Sequence, residues 1–129
     1  MLTVDTNVLV RILIDDPDAP KQCTAARQLA ADSGTIYIPQ IVQVETIWVL
    51  ESAYRFSREA VSTVLNAVAG NEAYVVQRRN VFTEALRQFG AGAADFSDCL
   101  ILAEAGAEKT QLATLDKKLS KLAGAKMVL

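Results

Sequence analysis

Short β-prone runs alternate with segments of helical apolar spacing along this whole chain, and that alternation restricts its fold more than any other feature. The runs are Leu2 to Val4, Thr35 to Ile38, Ala73 to Val76, Gln111 to Leu115 and a last one near Lys126 to Val128. Between them, sets such as Val8, Leu9, Ile12 and Leu13, or Val61, Val64, Leu65 and Val68, fall on single helical stripes. Parallel strands need a crossover connection, usually a helix, so strand and helix in alternation predict an α/β fold. The expected architecture is a three-layer one, a short parallel sheet of about five strands flanked by helices.

Local signals set the boundaries. Asp15-Asp16-Pro17-Asp18 reads as a turn, with Asp18 as N-cap and Pro20 in the first turn of a second helix that ends near Gly34. Pro39 closes the second run. A strongly apolar helix follows, with Ile41, Val42, Val44, Ile47, Trp48, Val49 and Leu50, and Glu45 lies within it. Ser57 caps the next helix and Gly70 ends it, which makes a helical hairpin. After Arg78-Arg79-Asn80 comes a helix carrying Phe82, Leu86 and Phe89, and Gly90 to Ala94 breaks it. Asp95-Phe96-Ser97-Asp98 opens another helix, and a short basic one is expected over Lys117 to Leu122.

With 129 residues and 51% hydrophobic content, the chain suits one compact domain, residues 1 to 129, with an ample core. Cys23 and Cys99 lie inside predicted helices without CxxC spacing, so neither a zinc site nor a disulfide framework is indicated. No apolar run is long enough to span a membrane and no basic leader precedes Asp5, so a soluble, cytoplasmic protein is expected.

The absence of histidine removes imidazole acid/base chemistry, His-dependent triads and imidazole metal ligands. Any catalysis therefore rests on carboxylates, hydroxyls or a metal. Four acids stand out by position: Asp5 after the first strand, Glu45 in the helix after the second, Asp98 at a helix start and Asp116 after the fourth strand. Carboxylates converging at one sheet edge repel one another unless a cation is present. All-oxygen ligands select Mg²⁺ or Mn²⁺, which lowers the pKa of a bound water and neutralises charge on a phosphodiester. Thr6 and Asn7 after Asp5, Ser97 before Asp98 and Thr114 before Asp116 are the supporting hydroxyl and amide groups. Each acid also has a structural reading. Asp95 is mainly a helix cap, Asp98 its acidic partner in the first turn, Asp116 an N-cap and Asp5 a turn residue. Glu45 is the hardest to explain structurally, because an unpaired acid among apolar neighbours is costly.

The segments Val4-Asp5-Thr6-Asn7-Val8-Leu9, Ile38-Pro39 with Val44-Glu45-Thr46-Ile47-Trp48-Val49-Leu50, Asp95-Phe96-Ser97-Asp98-Cys99-Leu100-Ile101 and Thr114-Leu115-Asp116 together resemble the PIN domain. Within that family they are similar to the VapC-type toxins of bacterial toxin-antitoxin pairs, and the resemblance covers essentially the whole chain. Leu119 departs from the phenylalanine frequent there. The resemblance implies a PIN-like fold and metal ligation by Asp5, Glu45, Asp98 and, more loosely or through water, Asp116, with Thr6, Asn7 and Thr114 in support. It also implies a Mg²⁺- or Mn²⁺-dependent endoribonuclease toxin acting on RNA, a homodimer, and inhibition by a small antitoxin. The helical hairpin of residues 40 to 68 is similar to the surface used in such inhibition, with Ile41, Trp48, Phe56 and Val61 as interface residues, although a helical apolar stripe is more often core.

The net charge of −2 argues mildly against a broad basic nucleic-acid surface. Local cations, Arg11, Arg78, Arg79, Lys117, Lys118 and Lys121, remain available for phosphates, and Lys117 and Lys118 beside Asp116 are the candidates for substrate backbone contact. Three other readings stay open. A receiver-like phosphoacceptor wants a strand-end lysine that does not stand out. A dehalogenase-like phosphatase wants an acid where this chain has Asn7. A catalytically silent metal- or RNA-binding module of the same fold keeps the acids and turns nothing over.

Overall fold

The computed structural model describes residues 1–92 and 94–129. The expected helix break over Gly90 to Ala94 falls partly on Ala93, which lies outside the described residues. The chain divides into two compact units, Met1–Gln77 and Arg78–Leu129.

The first unit holds β1 (Leu2–Thr3), α1 (Thr6–Leu13), α2 (Pro20–Ser33), β2 (Ile36–Ile38), α3 (Gln40–Ser52), α4 (Arg58–Ala69) and β3 (Tyr74–Val76). Its sheet is parallel throughout in the order β1-β2-β3, with Leu2 opposite Ile36 and Ile36 opposite Tyr74. Ile36 and Ile38 of β2 are buried, as are Leu9 and Val10 of α1, Ile47 and Leu50 of α3, and Val61, Leu65 and Val68 of α4. The second unit holds α5 (Arg79–Gly90), α6 (Phe96–Ala107), β4 (Leu112–Thr114), α7 (Lys117–Ser120) and β5 (Ala125–Met127). Here β4 and β5 form a parallel pair. Phe96 of α6 meets Phe82 and Phe89 of α5 edge to face, with ring centroids 6.2 and 6.0 Å apart, so aromatic burial joins the two helices. The α/β class and the parallel pairing expected from the sequence hold, and hydrogen bonding divides the five strands into groups of three and two. Among the described residues no helix is long and apolar enough to cross a membrane.

Two cap assignments need correction. The residue that caps α2 is Ala19, without a side-chain bond; Asp18 only donates its backbone N–H to Asp16. Asp16 is the organising acid of that turn. It accepts from the Tyr54 hydroxyl at 2.7 Å and from Arg11 at 3.3 Å, and Arg11 also donates to the Tyr54 hydroxyl at 2.7 Å. The Tyr54 hydrogen bond leads the causes that hold the Asp16 carboxyl below its usual range, with the Asp18 N–H and the Arg11 charge assisting against burial. Asp95 does stand at the N-cap of α6, but its side chain makes no capping bond. By contrast Ser57 accepts from Ala60 N, and Gly34 ends α2 at a φ of 78°, a value that glycine adopts without strain.

A glutamine holds α3 in place. Gln43 is buried, and its amide donates to the carbonyls of Ile38 at 3.3 Å and Gln77 at 2.8 Å, at the carboxyl ends of β2 and β3. Gln77 answers by accepting the Gln40 N–H at 2.8 Å, which serves the start of an α3 whose cap, Pro39, has no side-chain bond to give. Thr46, one turn on, is 0% exposed and its hydroxyl has no partner among the described residues.

These two residues predict opposite effects. Gln43→Leu leaves the Gln77 carbonyl without its donor, Ile38 O still accepting from Gln77 N at 3.0 Å, and lowers unfolding stability by about 1 kcal/mol, whereas Thr46→Val removes an unsatisfied hydroxyl at nearly constant shape and raises it by about 1 kcal/mol. Urea denaturation of both variants beside the parent protein measures the two differences.

Candidate functional site

Asp5 stands where β1 becomes α1. Val4 N donates to Tyr37 O at 3.3 Å at the end of the β1–β2 ladder, and the chain then enters the helix with Asp5 extended as N-cap. Asp5 Oδ1 accepts from Val8 N at 3.0 Å, which satisfies one of the orphan donors of the first turn. The other carboxylate oxygen has no hydrogen bond among the described residues. The turn role foreseen for this acid is therefore real and occupies one oxygen.

Glu45 lies on an exposed stripe of α3, with Ile41 one turn before it and Trp48 one turn after. The expectation that it shares a buried face is corrected: the helical stripe that faces the core is Val42, Gln43, Thr46, Ile47 and Leu50, and Glu45 points away from it. The Thr6 hydroxyl donates to Glu45 Oε1 at 3.1 Å. The residue after Asp5 thus fastens α1 to α3, and Glu45 Oε2 is left without a hydrogen bond among the described residues. Asn7 is exposed beside them and has none either.

In the second unit, Asp98 occupies the first turn of α6, half-buried, and its carboxyl is pushed above the usual aspartate range, first by burial, then by the charges of Asp95 and Asp116. Asp116 is the N-cap of α7. Its Oδ1 accepts from Lys118 N at 2.8 Å and Leu119 N at 3.0 Å, and its own N–H donates to Thr114 Oγ1 at 3.0 Å. Thr114 therefore supports Asp116 by fixing the turn from β4. Leu119, the departure noted in the sequence, is buried behind it at 5% exposure. Ser97 is exposed beside Asp98.

The donor chemistry fits a hard divalent cation. Asp5 and Glu45 each keep an oxygen with no hydrogen bond, and the Asp98, Asp95 and Asp116 charges oppose one another in a way that a cation relieves. Among the described residues no group of three or more acid or cysteine side chains is placed to hold a metal ion. A hard divalent cation that keeps several of its waters needs only one or two carboxylates from the protein.

The other candidates separate. Lys117 and Lys118 are exposed and in no ion pair among the described residues. Arg11 is committed to Asp16, and Arg78 to Glu104 and Glu108 at 3.8 and 3.7 Å, so neither is the loose phosphate-seeking cation that the sequence suggested. In the hairpin, Ile41 and Trp48 are 65% and 68% exposed, but Val61 is core at 0% and Phe56 is half-buried against Tyr54. Val61 is withdrawn from any interface because it belongs to the stripe that α4 buries. Gln43 was missed. Its signal was a polar residue on the buried stripe of an otherwise apolar helix.

The model of the PIN domain family matches residues 2–125, spanning both units and all four acids, and the chain belongs to that family. Among proteins of known character it is similar to the VapC ribonuclease of Aquifex aeolicus (strain VF5), with 24% identity over 101 residues, 78% of this chain and 75% of that one.

A charge test follows from Asp98. A carboxyl whose value is raised on folding costs stability once it ionises; the cost is absent below the usual value of 3.8, grows as pH rises toward the folded value and is complete above it. In metal-free protein, Asp98→Asn is expected to melt at a higher temperature than the parent at pH 7. That advantage is expected to disappear below about pH 3.8, as thermal melts across pH will show.

Proposed function

We propose that this protein is a Mg²⁺- or Mn²⁺-dependent endoribonuclease, the toxin of a toxin-antitoxin pair, working as one functional domain. The observation that carries this reading is the set of acids with oxygen left over from their structural duties, in a chain that the PIN family model matches from residue 2 to residue 125. The likeness to a VapC ribonuclease supports RNA as the substrate and an antitoxin as partner.

Asp5, Glu45 and Asp98 hold the cation in this reading, and Asp116 holds it more loosely or through water. When bound, the cation lowers the pKa of water and offsets charge on the phosphodiester. Thr6 fixes which way the Glu45 carboxylate faces, and Asp5 and Asp116 are oriented by the helix N–H groups they accept. Asn7 is within reach of the same helix start as a donor to phosphate or sugar. Lys117 and Lys118 contact the RNA backbone, where an ammonium serves as a point charge. Water as nucleophile needs no 2′-hydroxyl, so the products carry 5′-phosphate and 3′-hydroxyl ends. A homodimer, an antitoxin laid over the exposed Ile41 and Trp48 stripe and a cytoplasmic setting complete the proposal.

Incubation of cellular RNA with purified protein tests it. Discrete fragments are expected with Mg²⁺ or Mn²⁺, absent with chelator and reduced at least about 100-fold by Asp5→Asn. Cyclic 2′,3′-phosphate ends would remove the water mechanism. Specific RNA binding without any cutting would instead favour the silent regulatory module. Lys117→Glu with Lys118→Glu is expected to weaken cleavage and flatten its salt dependence, and an unchanged salt slope removes these lysines from the contact set.

A further inference from the structure

A groove of about 580 Å³ runs between α1 and α2, beginning at Asp5. Val8, Ala25, Ala26 and Leu29 form its apolar walls, with Leu29 47% exposed, and Asn7, Arg11 and Gln22 supply its polar groups. Its volume lies within the range of small-ligand sites and is ample for one nucleotide. A plain apolar slot would fit many occupants, but the polar groups here are built in a definite way.

Arg11 Nε donates to Gln22 Oε1 at 2.9 Å. Arginine carries donors only, so the Gln22 atom that meets it must be the carbonyl oxygen, and this fixes the orientation of the amide. Arg11 is in turn held by Asp16 and by the Tyr54 hydroxyl. The Gln22 oxygen is thus occupied by a restrained partner, and its two Nε2 hydrogens, unpartnered among the described residues, remain as the directional donors of the groove. A slot with apolar walls, a fixed donor and an end at Asp5 matches the demands of an unstacked base whose edge is read by hydrogen bonds.

Resting on the nuclease reading above, we infer that the α1–α2 groove receives one unpaired nucleotide of the RNA next to the cleaved bond, and that Gln22, positioned by Arg11, reads its base. The walls take the base face, and Gln22 Nε2 donates to a base carbonyl. Uracil, guanine and cytosine offer such an oxygen, whereas adenine offers only ring nitrogens to this donor. The groove therefore disfavours adenine. A carboxylate in place of the amide presents acceptors only, and selects the bases that carry an amino group, adenine, cytosine and guanine, against uracil, which has none.

The test measures binding of short labelled single-stranded RNAs, identical except for one base, to Asp98→Asn protein, which keeps the groove intact and does not cut. Ala25→Phe, which fills the groove, is expected to weaken binding by about tenfold or more, while Ala31→Phe on the opposite face of α2 leaves it unchanged. Gln22→Glu is expected to shift the preference from uracil toward the bases that carry an amino group by about fivefold or more. Melting temperatures of all variants establish that each is folded. Equal binding by Ala25→Phe, or an unaltered base preference in Gln22→Glu, overturns the inference. Parallel mapping of wild-type cleavage ends separates the two claims. Cutting with groove-independent binding keeps the nuclease and removes the subsite; groove-dependent binding without cutting keeps the subsite and removes the nuclease.

Discussion

A buried amide governs where the acids of the first unit can stand. Gln43 bonds the last carbonyls of β2 and β3, and Gln77 returns a bond to the start of α3, so the helix is locked to the carboxyl end of the sheet. Two residues along that helix is Glu45, and at the same end of the sheet β1 delivers Asp5. Carboxyl ends of parallel strands are where ligands bind in open α/β sheets, and here a hydrogen bond from Thr6 to Glu45 joins the two positions. Its matched donors offset part of the cost of burying the amide, whose Oε1 has no partner among the described residues.

The structural and chemical roles of the acids are not rivals. A carboxylate has two oxygens, and Asp5 and Asp116 cap helices through Oδ1 alone. Capping orients the group and places it in the favourable field of a helix start, while the second oxygen stays outward. Asp98 is different: it makes no hydrogen bond among the described residues, and burial and neighbouring charge both oppose its ionisation. An acid kept under such conditions is poorly explained by stability, and perturbed groups of this kind are characteristic of functional sites.

Much of this was legible in the sequence. Strand and helix alternation gave the α/β class because parallel strands require crossovers, and Gly34 and Ser57 marked helix ends through local backbone chemistry. The four acids were visible as interruptions of apolar patterns. What escaped depended on tertiary contacts. Asp18 looked like a cap, yet Asp16 won the turn because Tyr54, 38 residues away, donates to it. Glu45 was read as sharing a buried face because its helix is apolar nearly all round, and only packing reveals that Ile41, Glu45 and Trp48 form the outward stripe. Arg11 looked like a free cation until its partners on the α1–α2 turn, α2 and beyond α3 were in view.

The central claim is that acids from different parts of the chain bind one kind of hard cation. Thermal unfolding in increasing Mn²⁺ or Mg²⁺ tests it directly, because a ligand that binds only the folded state raises stability with its concentration. The account predicts a melting temperature of the parent protein that rises logarithmically with cation once its concentration exceeds the dissociation constant, strongly diminished in both Glu45→Gln and Asp98→Asn. An identical rise in all three proteins would contradict it.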